Sequence, residues 1–295
     1  MIDMAYYPGC ALQSMSWDYR ESIKRVAAAL DIQLIELEEW TCCGATAAHS
    51  LDEHMSVMLP ARNLAGAEAL ALDLAVACPM CFKRLALSRK LLQQKRVNNP
   101  WDLQLEYGVF DLARFLAADE MLERIRQRVV RPLNALQVVC YYGCQVVRPP
   151  KITGYTDYEN PQHMDRLVGV LGASAIDWSH KATCCGASMG IPKKEIGLSL
   201  VGKLLAAAHA SGAQAIVVCC PLCQSNLDLY QPELRERHGW EWQLPILYYT
   251  ELIGIAFDLK SIEPGLAGHL IDPRPYIEAW TRTPPELNSA EEFRK

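Results

Sequence analysis

Short apolar runs alternate along the chain with stretches of helical period, and the order repeats. Met4–Tyr7 is an apolar run that reads as a strand. From about Ser16 to Leu30, Ile23, Val26, Ala27 and Leu30 fall on one helical face. Gln33–Glu38 alternates as a strand, about Leu59 to Leu72 is helical, and Leu74–Ala77 is a second apolar run. A basic amphipathic helix is expected from Phe82 to about Gln94. The second half reads the same way: strand Gln137–Tyr142, helix His163–Leu171, strand Ala175–Trp178, helix Glu195–Ser211 and strand Ala215–Cys219. Gly212 suits the C-cap of the last helix. Val109–Ala117 and Ile246–Ala256 trail the two units and match in character. Strands alternating with helices predict an α/β protein of two duplicated domains, each a small parallel sheet of βαβ units. The charged helical stretch Glu120–Arg131 puts the expected boundaries at 1–132 and 133–260. A C-terminal extension, 261–295, is rich in Pro, Gly and charge and has no counterpart.

The repeat carries ten of the twelve cysteines. Cys10, Cys42, Cys43, Cys78 and Cys81 form one set; Cys144, Cys184, Cys185, Cys220 and Cys223 form the other. Each reads as a lone cysteine after Tyr-Pro-Gly or Tyr-Tyr-Gly, then Cys-Cys-Gly, then Cys-Pro-x-Cys. The second gap is 34 residues in both, 44–77 and 186–219; the first is 31 residues (11–41) against 39 (145–183). Every motif follows a predicted strand. In a parallel sheet these loops share the carboxyl edge, where α/β proteins place ligands. The helix N-termini beside them favour anionic thiolates. Five cysteines exceed what one cubane or one tetrahedral zinc needs. Two adjacent cysteines do not easily put both sulfurs on one ion, so the pairs point to a multi-metal centre. The glycine after each pair would let backbone pass close to inorganic sulfide. Zinc in one or both halves remains the alternative, because four of five thiolates suffice for it.

Composition narrows the setting. Hydrophobic residues are 51% and charged residues 21%, a core-forming balance. A net charge of −5 argues against nucleic acid as partner. The start, MIDMAYYPGC, has no signal-peptide pattern, and no stretch reaches the length of a membrane span. A cytoplasmic, reducing setting is expected, in which clustered cysteines mean metal or redox chemistry rather than disulfides.

The pattern resembles the duplicated CCG domain of the B-type polypeptide of heterodisulfide reductase, including its sulfur-oxidising branch, over about residues 4–275. YYPGC at the start, YYGC followed by Arg148-Pro149-Pro150, Tyr158-Glu159-Asn160-Pro161 and the run Gly268–Pro275 carry the likeness. The resemblance implies that each cysteine set holds a noncubane 4Fe–4S cluster near the domain interface, where a disulfide is reduced or, in reverse, thiols or thiol-bound sulfur are oxidised. It further implies a C-type ferredoxin-like partner protein, an A-type flavoprotein, and a disulfide or thiol substrate that a lipoate-bearing protein carries in bacterial relatives. Gln145 stands where methanogenic members have histidine, and no ferredoxin-type cysteine run is present. Two other functions compete: an electron-transfer subunit of a lactate, glycolate, glycerol-phosphate or succinate oxidising complex, and a zinc-stabilised scaffold.

Other residues are weighed against plainer roles. His49 and His180, close to the Cys-Cys pairs, are candidate proton donors to a product thiolate; the catalytic residues are otherwise open. Cys140 and Cys219 read as core. Arg148, Lys151, Lys181, Lys193 and Lys194 read individually as solvated loop, with an anionic substrate as the alternative. Lys83, Arg84, Arg89 and Lys90 read as a solvated face, with an acidic partner as the alternative. Tyr6, Tyr7, Tyr141 and Tyr142 are expected to pack, with one phenol on a cluster sulfur. His269 reads as structural. The longer gap makes the second half the expected substrate side.

Overall fold

The computed structural model describes residues 1–45, 48–190 and 192–282. Among the described residues eight strands form two sheets: β1 Ile2–Tyr7, β2 Ile32–Glu36, β3 Leu74–Val76 and β4 Val109–Asp111; then β5 Gln137–Tyr141, β6 Ser174–Ala175, β7 Ala215–Val218 and β8 Ile246–Tyr248. Their orders are β2-β1-β3-β4 and β6-β5-β7-β8, with every pairing parallel. The central strands are apolar because helices cover both faces; Ala75, Val76 and all of β7 are fully buried. The part of the expected extension beyond residue 282 lies outside the described residues.

Local differences from the expected elements have physical causes. The strand expected at Ala175–Trp178 stops at Ala175. Ile176 N–H still bonds Val138 C=O at 2.7 Å, but the Trp178 indole N–H then takes the Cys140 carbonyl at 2.9 Å. A side chain thus replaces the next rung of the ladder. The basic helix starts at Pro79, not Phe82. Proline at N1 needs no N–H partner, so Cys-Pro-x-Cys is itself a helix start, and Pro221–Leu229 repeats the device. The helix expected from Leu59 begins at Glu53, where Asp52 accepts the Met55 N–H at 2.7 Å and caps it.

The halves are joined by a buried seam. Helix Trp17–Ala29 packs on helix Tyr249–Ala256, with Ser22 Oγ and Thr250 Oγ1 2.8 Å apart. Elsewhere Tyr155 donates to Asp111 at 3.1 Å and lies 3.3 Å from His163 Nε2. Burial pushes Asp111 up to about 6 and His163 down to about 3, so the pair meets as neutral groups near pH 5. Among the described residues no helix is long and apolar enough to cross a membrane.

Candidate metal centres

Each half gathers its five cysteines at the carboxyl edge of its sheet. Cys10 and Cys144 follow β1 and β5. Cys78 and Cys220 are N-caps, and Cys81 and Cys223 lie in the first turns of helices Pro79–Gln93 and Pro221–Leu229. All are free thiols; Cys10, Cys42 and Cys184 are exposed, Cys144 is half-buried and the other six are buried.

The sulfurs are already in contact. Cys43 and Cys81 stand 3.2 Å apart, and Cys185 and Cys223 3.5 Å. Hydrogen bonds from Cys42 and then Cys81 bring Cys43 down to about 3, with the Ala45 amide and the Arg84 charge adding to them. Cys81 is correspondingly pushed up and keeps the proton. In the second half, Cys185 is lowered by Cys223 first and also by the Ala187 amide and the Tyr141 phenol; Cys184, bonded by Cys144, comes to about 6. Cys78 is lowered by the Cys81 thiol and by the backbone amides of Cys81 and Met80. Thiolates thus form readily in both clusters, which is what a metal requires of its ligands.

Matched devices hold the two sites. Tyr7 OH donates to Thr41 C=O at 2.8 Å, and Tyr141 OH to Thr183 C=O at 2.6 Å, each fixing the residue before a Cys-Cys pair. Both tyrosines thus chiefly pin backbone, with Tyr141 close enough to Cys185 to help lower it. Gly44 and Gly186 donate their N–H to Cys42 Sγ and Cys184 Sγ at 3.4 and 3.3 Å. Their missing side chains make room for Ala48 Cβ and Leu200 Cδ1, at 3.1 and 3.0 Å from where a Cβ would stand, rather than for sulfide. It is at Gly9 and Gly143 that a Cβ would meet cysteine sulfur, Cys81 Sγ at 3.1 Å and Cys223 Sγ at 3.0 Å. Both have positive φ, +74° and +69°. Gly143→Ala is expected to cost about 1–2 kcal/mol of stability from the left-handed backbone alone and to lower metal content at the second site, as read by denaturant melts and metal analysis.

A cavity of ≈ 560 Å³ lies where the two halves meet, lined by residues beside the cysteine motifs: Ala45, Met80, Lys83 and Arg84 from the first half and Ala187, Pro192 and Leu222 from the second. A smaller pocket lined by all five second-half cysteines also touches Met80. His49 is exposed and lines the large cavity. His180 is not among the residues lining it; it leans on Trp178, ring centroids 5.5 Å apart, with Nδ1 3.1 Å from Ser179 Oγ. Lys83 and Arg84 are not a solvated face: Lys83 reaches Gln145 Oε1 across the seam at 2.9 Å. Arg89 donates to the Tyr107 and Leu105 carbonyls, and Lys90 to the Lys151 carbonyl at 2.6 Å. The duplicated counterparts of Lys83 and Arg84 are Ser225 and Asn226, so positive charge in the cavity gathers on the first half. Lys181, expected in solvent, is buried and paired with Asp165 at 2.8 Å; Arg148 and Lys194 pair with Glu159 and Glu233. Cys140 and Cys219 are fully buried, and burial holds both thiols protonated.

Fold and site together define a duplicated α/β protein with one five-thiol centre per half. The cysteine-rich CCG domain model matches residues 4–86 and again 138–228. The chain belongs to the CCG cysteine-rich domain family. It is 30% identical over 278 residues to the 8-methylmenaquinol:fumarate reductase membrane anchor subunit of Wolinella succinogenes, covering 92% of this chain and 97% of that one. It is 26% identical over 284 residues to the B-type polypeptide of the ferredoxin/F420H2-dependent CoB-CoM heterodisulfide reductase of Methanosarcina acetivorans, covering 92% and 94%. A hypothetical protein from Helicobacter pylori shares the fold with a TM-score of 0.68 at 12% identity; the match covers 91% of this chain and about half, 51%, of that longer one.

Proposed function

We propose that the chain is the catalytic iron–sulfur subunit of a heterodisulfide-reductase-like oxidoreductase, acting on a disulfide or, in reverse, on thiols or thiol-bound sulfur. The observation that carries this reading is the pair of equivalent five-cysteine centres, with a cavity lined by residues beside the motifs of both. Two noncubane 4Fe–4S clusters fit the donor set: five thiols per half, thiolates favoured in each, and a glycine at each lone cysteine whose Cβ would strike sulfur. Cys10, Cys42, Cys43, Cys78 and Cys81 would hold one; Cys144, Cys184, Cys185, Cys220 and Cys223 the other. When bound, such groups supply electrons one at a time.

The chain's own residues do the rest. Reduction breaks one S–S bond and takes up two electrons and two protons, giving two thiols. Lys83 and Arg84 draw an anionic portion of the substrate toward the first half, and Ala187, Pro192 and Leu222 receive an apolar portion. His49, at the cavity mouth, delivers a proton to a departing sulfur. Electrons come from a C-type ferredoxin-like protein fed by an A-type flavoprotein. The complex works in the cytoplasm, where reducing conditions keep clustered thiols free for metal.

A second reading is favoured by the Wolinella relative, whose name places it in a fumarate reductase: an electron-transfer subunit with no substrate of its own. Anaerobically purified chain, analysed for iron, sulfide and zinc and then assayed for disulfide-dependent oxidation of reduced viologen, separates these. About eight irons with turnover supports the first reading, iron without turnover the second. Zinc alone removes both.

A further inference from the structure

Tyr19 joins the two cysteine centres. It lies on helix Trp17–Ala29 and is fully buried. Its hydroxyl stands 3.4 Å from the Ala77 carbonyl and 3.3 Å from the Cys219 carbonyl. These are duplicated positions, each immediately before a Cys-Pro-x-Cys helix start. One hydroxyl hydrogen is therefore shared, in a long three-centre bond, between the loops of both halves. The ring cannot swing away: it stacks on Tyr248 at 3.9 Å and 2° and meets Tyr249 edge-on at 6.1 Å and 81°.

We infer that Tyr19 is the positioning residue through which the two centres exchange an electron and keep their geometry in step. The route runs from Cys78 through the Ala77 carbonyl, the Tyr19 hydroxyl and the Cys219 carbonyl to Cys220. It rests on the redox function proposed above. A disulfide needs two electrons and each centre passes one, so an electron entering at one centre has to reach the other. In this step one electron leaves one centre and enters its twin; no bond forms or breaks, and the phenol keeps its proton. Burial holds that phenol well above its ordinary value, so it stays a donor at working pH.

The test compares Tyr19→Phe with Tyr248→Phe in the full chain. Both lose one buried hydroxyl from the same stack, but only that of Tyr19 bonds the Ala77 and Cys219 carbonyls among the described residues. Two readouts are used: redistribution of a single injected electron between the centres, followed by rapid-freeze EPR on iron-loaded protein, and amide hydrogen exchange at Cys78 and Cys220 in metal-free protein. Tyr19→Phe is expected to keep its iron, slow redistribution several-fold and speed exchange in both loops together; Tyr248→Phe is expected to do neither. Full iron with unchanged redistribution overturns the inference. If Tyr19→Phe fails to load iron, 3-fluorotyrosine at this position, which alters the hydroxyl's acidity without removing it, must change the redistribution rate, and an unchanged rate overturns the inference. If unaltered protein binds no iron, the redox function itself falls, and amide exchange alone decides whether Tyr19 links the loops: unchanged exchange in either loop sinks it.

Discussion

Cys43→Ser is expected to remove about half of the bound iron, roughly four of eight atoms, and the matching share of sulfide and visible absorbance. Cys43 is buried, and the hydrogen bonds of Cys42 and Cys81 bring it to about 3, so it readily forms a thiolate in the first centre. Serine places a neutral hydroxyl, a harder and far less acidic donor, where the centre needs a thiolate. Cys185→Ser should do the same at the second centre, where Cys223 lowers the thiol, and the double variant should be colourless. Cys140→Ser is the control: that thiol is wholly buried within β5 and kept protonated, so its variant should lose stability but not iron. Full iron in Cys43→Ser would exclude Cys43 as a ligand. Complete loss would mean that the centres do not assemble independently.

The cysteine spacing made the two centres and the parallel sheets legible, because a strand-then-motif order forces each motif to the carboxyl edge. Periodicity found the helices that present a continuous apolar face, such as Trp17–Ala29. It missed the start at Pro79, where the motif itself caps the helix, and the early end of β6, where an indole takes a ladder carbonyl. Basic residues misled for one reason: charge alone does not say which side of a seam it faces. Lys83, Arg89 and Lys90 all find acceptors at the seam or on neighbouring loops, and Lys181 is buried on Asp165. Reading the Arg84 and Asn226 counterparts side by side would have shown which half carries the positive charge. The role of Tyr19 had no signal in sequence, since its contacts are backbone carbonyls 58 and 200 residues away.

His269→Ala is expected to destabilise the chain by about 3–5 kcal/mol, the range for breaking a buried ion pair. His269 is buried, with Nε2 2.8 Å from Glu251 Oε1 and 3.3 Å from Asp18 Oδ2. It thereby ties the C-terminal segment to helix Tyr249–Ala256 of the second half and helix Trp17–Ala29 of the first. Gln224 lies 3.5 Å from Nδ1, and Asp228 accepts the Leu270 and Ile271 amides at 2.7 and 3.2 Å, so the segment is held at the histidine and just after it. Burial alone would lower this imidazole, but the Glu251 and Asp18 carboxylates overcome it and raise it from 6.5 to about 11. A histidine raised on folding stabilises fully below its unfolded value. Its contribution should therefore be whole below about pH 6.5, shrink as pH rises, and vanish above about 11. Urea melts of the two proteins should diverge most at pH 6 and converge toward pH 10. A gap between the two proteins that is independent of pH would show that His269 acts by packing and not by charge. Because helix Trp17–Ala29 also carries Tyr19, loosening this clamp should release the contact between the two cysteine loops as well, and amide exchange at Cys78 and Cys220 should rise in His269→Ala even where its iron content is unchanged.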